Sequence, residues 1–229
     1  MPLERVFIIK GSSSDGHRKI VRLSKQQGIP IKLVPPEKLQ RLTRKVHQGV
    51  VAFTSPIEFH HLETLIPQLF EAGKSPFILM LDGVTDVRNF GAIARSAECF
   101  GIHAIVIGMQ HSAPINGEAV KSSAGALLNL PVCRSNDLVR SATYLSECGI
   151  SIIGCSEKGD APFEEGSYTG PTCLVMGAED IGISDGLWQL CDQKVVIPMV
   201  GKTASLNVSV ASGILLSKMA GERLKSKEA

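Results

Sequence analysis

The residues with most chemistry to offer fall in three short segments of this 229-residue chain. The first, Leu81 to Arg95, carries Asp82, Asp86, Asn89 and Arg95. The second, Leu174 to Ser184, carries Gly177 and Glu179, and the third, Ile197 to Ala211, carries Lys202, Ser205 and Asn207. Each takes over where a short apolar run gives way, so each lies where a strand would end. In open parallel α/β sheets that edge is where ligands bind. A guanidinium near a carboxylate and two amides can grip a phosphate or stabilise an oxygen that gains negative charge. A glycine directly after a strand lets backbone come close to a ligand. Taken singly, each segment also reads as plain structure: Asn89 as the cap of a helix with Arg95 on its surface, Gly177 as a turn, Ser205 as an N-cap.

Three familiar chemistries are excluded by spacing. Gly201-Lys202-Thr203 resembles the end of a phosphate-binding loop, but Val196 stands where the loop's first glycine is required. No GxGxxG dinucleotide fingerprint follows Phe77–Leu81, which is succeeded only by Gly83 and Gly91 in other spacing. Asp82, Asp86, Glu179, Asp180 and Asp185 come from separate loops without metal-ligand spacing, so no metal is expected. His17 and His47 read as ordinary surface residues, with RNA contact as the alternative.

These segments need a scaffold, and the periodicity supplies one. Val6–Lys10 predicts a strand, Asp15–Gln27 a basic helix, Ile31–Val34 a strand, Pro35–Arg44 a proline-opened helix and Gly49–Thr54 a strand. His60–Ala72 has helical spacing, and Gly73-Lys74-Ser75-Pro76 reads as a linker. We therefore expect a small αβ domain over residues 1–73 and a second domain over 74–229. In the second, Phe77–Leu81 leads into a helix Asn89–Phe100. His103–Ile107, Gly117–Leu128, Asn136–Cys148, Ser151–Gly154, Cys173–Met176, Val195–Pro198 and Ser205–Arg223 continue the alternation. Apolar strands that run on without alternation, separated by helices, predict an α/β fold with a parallel sheet covered on both faces.

Composition narrows the class. With 44% hydrophobic and 20% charged residues and a net charge of +2, the chain has material for a real core. No apolar run approaches the roughly 20 residues of a membrane span, and MPLERVFIIK lacks the pattern of a signal peptide. Six scattered cysteines fit a reducing cytoplasm better than a disulfide framework. Charge is uneven: residues 1–50 hold 11 Lys/Arg against Glu4, Asp15 and Glu37, a balance of +8, while residues 51–229 stand at −6. A basic module on a mildly acidic body points to a polyanion partner. Aromatic residues there, Phe7 and Phe53, are too few to predict base stacking.

Taken together and in order, the three segments resemble the motifs of the SpoU/TrmH-type RNA ribose 2′-O-methyltransferases of the SPOUT class. The resemblance lies in N-x-G-A-I-x-R (Asn89 to Arg95), L-V-M-G-A-E (Leu174 to Glu179) and I-P-M-x-G-x-x-x-S-L-N-V-S-V-A (Ile197 to Ala211). The N-terminal part, closing on Val46-His47-Gln48-Gly49-Val50-Val51-Ala52, is similar to the family's L30-like RNA-binding domain. Leu81–Asp86 and Val120–Ala126 are most similar to the bacterial enzymes that methylate a guanosine ribose in 23S rRNA. The chain begins almost at its first strand, 15–20 residues later than such proteins usually do, which leaves the expected RNA-binding domain shortened.

The resemblance implies S-adenosylmethionine as cofactor, held in a C-terminal trefoil knot by loops around Gly177, Ile197 and Leu206. It implies a homodimer formed through the C-terminal domain, RNA as substrate and no membrane association. It implies Arg95, Asn89, Glu179, Ser205 and Asn207 as the catalytic set. Because a guanidinium stays protonated in proteins, we read Arg95 as gripping a phosphate and hydrogen-bonding the ribose 2′-oxygen rather than as a base. Asn89 would orient Arg95, and Glu179 would hold it or accept the proton. Ser205 and Asn207 would fix the ribose or the loop. A tRNA guanosine 2′-O-methyltransferase and a non-catalytic RNA-binding or ribosome-assembly protein are the competing readings.

Overall fold

The computed structural model describes residues 2–12, 14–203 and 205–228. Ala204, inside the third segment, lies outside that range. The chain forms two compact units, Met1–Glu58 and Phe59–Ala229.

The first unit contains β1 (Leu3–Ile9), α1 (Asp15–Gln26), β2 (Ile31–Val34), α2 (Pro36–Leu42) and β3 (Val50–Thr54). Its sheet runs β2-β1-β3, with β2 parallel and β3 antiparallel to β1. Val6, Ile8, Val34 and Leu39 are buried, as the period-2 pattern of β1 and the apolar end of β2 require. Ser14 caps α1 by accepting from the His17 amide, and Pro36 supplies a preset φ at the first turn of α2.

The second unit carries β4 (Phe59–His60), α3 (Leu62–Glu71), β5 (Phe77–Asp82), α4 (Val87–Cys99) and β6 (Ala104–Gly108). It continues through α5 (Gly117–Ser122), β7 (Val132–Ser135), α6 (Leu138–Glu147), β8 (Ser151–Cys155), β9 (Ala161–Pro162) and β10 (Thr172–Gly177). It closes with α7 (Asp185–Gln189), β11 (Gln193–Val196) and α8 (Val208–Glu228). The strands form one sheet in the order β4-β7-β6-β5-β10-β8-β11-β9, and every pairing is parallel. Ile78, Leu79, Met80, Ile105, Val106, Leu174 and Val175 are inaccessible on both faces of the central strands. Unbroken apolar strands are what a sheet covered by helices on each side demands.

Several boundaries move for identifiable reasons. The expected break near residue 73 lies instead after Glu58, because α3 turns Leu62, Ile66 and Leu69 into the core of the second unit. That helix starts at Leu62 because Phe59 and His60 pair with β7 as a strand. Asn89 does not cap α4: Asp86 does, its Oδ1 accepting from the amides of Arg88 and Asn89 at 2.8 Å each. The helix expected over Gly117–Leu128 breaks after Ser122, where Ala124 and Gly125 take left-handed φ values of 50° and 88°. The last helix starts at Val208 rather than Ser205, with Asn207 Oδ1 accepting from the Ser209 amide at 3.0 Å.

One close approach sets the position of α4. A Cβ at Gly91 would lie 1.8 Å from Ser122 Oγ and 2.7 Å from Ser122 Cβ, so only glycine lets α4 and α5 meet there. Ser122 Oγ in turn donates to Val87 O across the contact. Farther along, Arg223 of α8 donates to Ser75 O at 2.6 Å and to Gly170 O, and lies 4.7 Å over the Phe77 ring. This ties the end of α8 to the N-terminal edge of β5 and β10.

Candidate active site

Parallel strands β10, β8 and β11 end side by side, and the loops leaving them enclose a cleft together with the start of α8. Its apolar wall comes from Met176, Val196, Ile197, Leu206, Val208 and Ala211. Its polar groups come from Ser156, Glu157, Glu179 and Ser205, with Gly177, Ala178, Gly182, Cys155 and Met199 completing it. All three residues expected to contact a cofactor, Gly177, Ile197 and Leu206, therefore lie in this lining. The role expected for Gly177 changes, however. A Cβ there would lie 2.1 Å from Gly182 C and 2.3 Å from Ile183 N. The glycine is required because the loop folds back on it, with Ala178 and Gly182 exchanging backbone hydrogen bonds. Asp82 fastens the same loop by accepting from the Ser184 amide at 2.8 Å.

At the mouth of the cleft the three sequence segments meet through one carboxylate oxygen. Glu179 Oε1 accepts from Asn89 Nδ2 at 3.1 Å, from Asn207 Nδ2 at 2.6 Å and from the Val208 amide at 3.3 Å. Asn207 Nδ2 also donates to Asn89 Oδ1 at 3.0 Å. The network joins the first turn of α4, the loop after β10 and the start of α8, residues 118 apart in sequence. A helix start placed on a carboxylate is favourable because its free amides and dipole meet negative charge.

Arg95 is not part of this network. It lies six residues past Asn89 on α4, about 9 Å along the axis and about 120° around it. It is exposed and, among the described residues, has no ion-pair or hydrogen-bond partner. The expectations that Asn89 orients Arg95 and that Glu179 holds it are thus corrected: those two side chains hold each other. Ser205 lines the cleft, while Asn207 belongs to the network.

Sequence reasoning does not single out the segment Cys155-Ser156-Glu157, which the structure brings into the cleft. It begins at the last residue of β8, which the sheet order places between β10 and β11, and sequence alone does not fix the order of parallel strands. Burial pushes the Cys155 thiol up to about 12, so this cysteine meets the cleft as a neutral group. Ser156 Oγ donates to Glu157 Oε2 at 3.1 Å.

The chemistry of the lining decides what fits. Among the described residues it contains two carboxylates, Glu157 and Glu179, and no lysine or arginine. Such a cleft disfavours a nucleotide polyphosphate and suits a ligand with a flat apolar base, hydroxyl groups and positive charge. S-adenosylmethionine has those features, and the residues present fit it.

Fold and cleft together define a parallel α/β protein with an acidic ligand cleft at the carboxyl ends of its strands. Residues 76–217 match the SpoU rRNA Methylase family and residues 1–60 match the family of RNA 2′-O ribose methyltransferase substrate-binding domains. The chain belongs to the SpoU rRNA methylase family. It is 36% identical over 221 residues to the 23S rRNA (guanosine-2′-O-)-methyltransferase RlmB of Escherichia coli strain K12, covering 96% of this chain and 90% of that one. It is 34% identical to an uncharacterized tRNA/rRNA methyltransferase of Mycobacterium sp. strain KMS, over 97% of this chain and 72% of that one. Among solved structures, the SpoU methyltransferase AviRb from Streptomyces viridochromogenes in complex with the cofactor AdoMet superposes with a TM-score of 0.64 at 26% identity. The match covers 98% of this chain and 84% of that one.

Proposed function

We propose that the protein transfers a methyl group from S-adenosylmethionine to the ribose 2′-oxygen of a guanosine in 23S rRNA. The observation that carries this reading is a cleft with two carboxylates and no lysine or arginine among its described lining residues, whose Glu179 is held by Asn89 and Asn207. The similarity to RlmB over nearly the whole chain supports the rRNA substrate. The match of residues 1–60 to a substrate-binding family, and the charge of +8 over residues 1–50, support an L30-like RNA-binding role for the first unit.

In this reading the cofactor, when bound, supplies a methyl group on a positively charged sulfur that leaves as a neutral thioether. The protein then has to bind, orient and manage one proton. Ile197, Leu206 and Met176 would hold the cofactor's adenine, and Glu157 and Ser205 would supply partners for its polar groups. Glu179, Asn89 and Asn207 hold α4 and α8 in fixed relation to the loop that carries Gly177. Arg95 grips the phosphate beside the target ribose and donates to the 2′-oxygen as negative charge develops, while the proton leaves to solvent.

The remaining parts of the reading are a trefoil knot threading the loops after β10 and β11, and a cytoplasmic homodimer. Support for the dimer comes from exposed apolar side chains beside the cleft: Met199, Val200 and Val210 of the β11–α8 connection and first helical turn. Apolar surface of that kind is what a second copy would cover. Among the described residues no helix is long and apolar enough to cross a membrane.

The test uses purified protein, S-adenosylmethionine labelled in its methyl group, and unmodified large-subunit rRNA and bulk tRNA in separate reactions. Alkaline digestion follows, because a 2′-O-methyl group blocks cleavage. Label in an alkali-resistant dinucleotide from rRNA is the expected result. Label only in tRNA would change the substrate, and absence of cofactor binding would end the enzyme reading.

A further inference from the structure

The seam between α4 and α5 carries two cations, Arg88 and Lys121, that the methyl-transfer chemistry does not use, and they continue the line of Arg95, which it does. Because Gly91 lacks a Cβ, Ser122 sits directly against it and the two helices meet closely. Around the α4 axis, Arg88 and Arg95 are seven residues apart and so share one face, about 40–60° to one side of Gly91. Around the α5 axis, Glu118 and Lys121 both lie to one side of Ser122, at about 40° and about 100°. Arg88 Nε is 3.6 Å from Glu118 Oε1, which puts these two sides on the same open edge of the seam. Arg88, Arg95 and Lys121 therefore face one strip of solvent, with Glu118 paired to Arg88 at one end and Glu98 exposed one turn past Arg95 at the other. Arg88 and Glu118 are 83% and 57% exposed, respectively, a setting in which an ion pair is worth little and exchanges readily.

We propose that this strip is a track for the phosphates of the RNA strand that flank the target ribose, with Arg88 and Lys121 as contacts and Glu118 as a competitor for Arg88. The partner is single-stranded RNA backbone rather than a base sequence, since the strip offers cations and no aromatic platform. The strip starts at the first turn of α4, next to Asn89, and runs toward Arg95, so it leads a strand past the mouth of the cleft. It also gives a physical role to Val120–Ala126: this run seats Ser122 on Gly91 and thereby places Lys121.

The inference rests on the RNA-methylation reading for why a strand passes here, but its test reads binding alone. Full-length protein is titrated into a fluorescent single-stranded RNA oligomer of about 20 nucleotides at several salt concentrations. Removing one cation that neutralises a phosphate should make the slope of log affinity against log salt shallower by about 0.7. Arg88→Gln and Lys121→Gln should each show that change and bind several-fold more weakly at low salt. Glu118→Gln should do the opposite, binding RNA about two- to five-fold more tightly, because Arg88 is then free for phosphate. A purely structural role for the Arg88–Glu118 pair predicts that both single variants shift in the same direction. Affinity for S-adenosylmethionine, measured in parallel, should be unchanged in all three. Unchanged slopes, or Glu118→Gln binding as weakly as Arg88→Gln, would overturn the proposal. If the wild type transfers no methyl group yet shows these slopes, the methylation reading fails and the RNA track stands.

Discussion

At the level of single residues, the structure separates two roles that the motif pattern blends. Glu179 has the chemistry of a proton acceptor, but its Oε1 accepts three hydrogen bonds from α4, Asn207 and the start of α8. A carboxylate so engaged acts by holding parts in place. Glutamine keeps an oxygen at that position, whereas alanine removes it and leaves three donors without a partner. Losing hydrogen bonds to a charged group costs about 1.5–3 kcal/mol. Glu179→Gln should therefore keep the methyl-transfer rate within about 3-fold of wild type, while Glu179→Ala should lose roughly 10- to 100-fold. A Gln variant as slow as the Ala variant in single-turnover assays would return Glu179 to the role of base. Arg95 makes the complementary case, since it lies outside the network and offers a planar fork to a phosphate. Lysine keeps the charge but not the bidentate geometry, so Arg95→Lys should lose at least about 10-fold in rate. Near-full activity in that variant would remove the bidentate grip.

At the level of elements, the site depends on how closely α4 can approach its neighbours. Gly91→Ala would gain up to about 1 kcal/mol in helix propensity, but its methyl group would meet Ser122 Oγ at 1.8 Å. Overpacking of that kind costs about 1–3 kcal/mol, so we expect net destabilisation together with reduced activity as Asn89 shifts. The double variant Gly91→Ala/Ser122→Gly should recover part of both in denaturant titration and methyl transfer. If Gly91→Ala alone were neutral in both assays, the contact would not set the position of α4. Much of this scaffold is legible in the sequence. Continuous runs such as Phe77–Leu81 and Cys173–Met176 announce buried parallel strands, and the three polar segments fall at strand ends as expected. Caps are harder to assign because competing polar residues stand nearby: Asp86 precedes Asn89, and Asn207 follows Ser205. The domain boundary is hard for another reason, since an amphipathic helix such as α3 shows that it has an apolar face without showing which core receives it. Cys155–Glu157 enters the cleft through strand order, a property of the folded sheet that periodicity does not encode.

Across the whole molecule, packing in the second unit shields several acidic protons from solvent. Burial pushes the thiols of Cys133 and Cys155 up to about 12 and that of Cys191 up to about 11, and raises Cys173 as well. Burial also raises the phenols of Tyr144 and Tyr168 to about 12. All six cysteines are free thiols. In the unfolded chain these thiols ionise near their ordinary value of 9.0, so above that pH the unfolded state binds fewer protons than the folded one. Stability is then fully present below about pH 9 and is lost as pH rises toward 12, by up to about 1.4 kcal/mol per pH unit for each thiol. Lys32 and Arg223, both lowered chiefly by burial, act in the opposite direction but are outnumbered. Urea unfolding should give a midpoint that changes little from thiol ionisation between about pH 7 and 8.5 and falls steeply between about pH 9 and 11. Cys133→Ala should flatten that fall by about one proton while costing some stability at every pH through the small cavity it leaves. A midpoint that held steady or rose over the same alkaline range would mean that these thiols reach water in the folded protein, and that the core described around β7, β8 and β10 opens more easily than its packing implies.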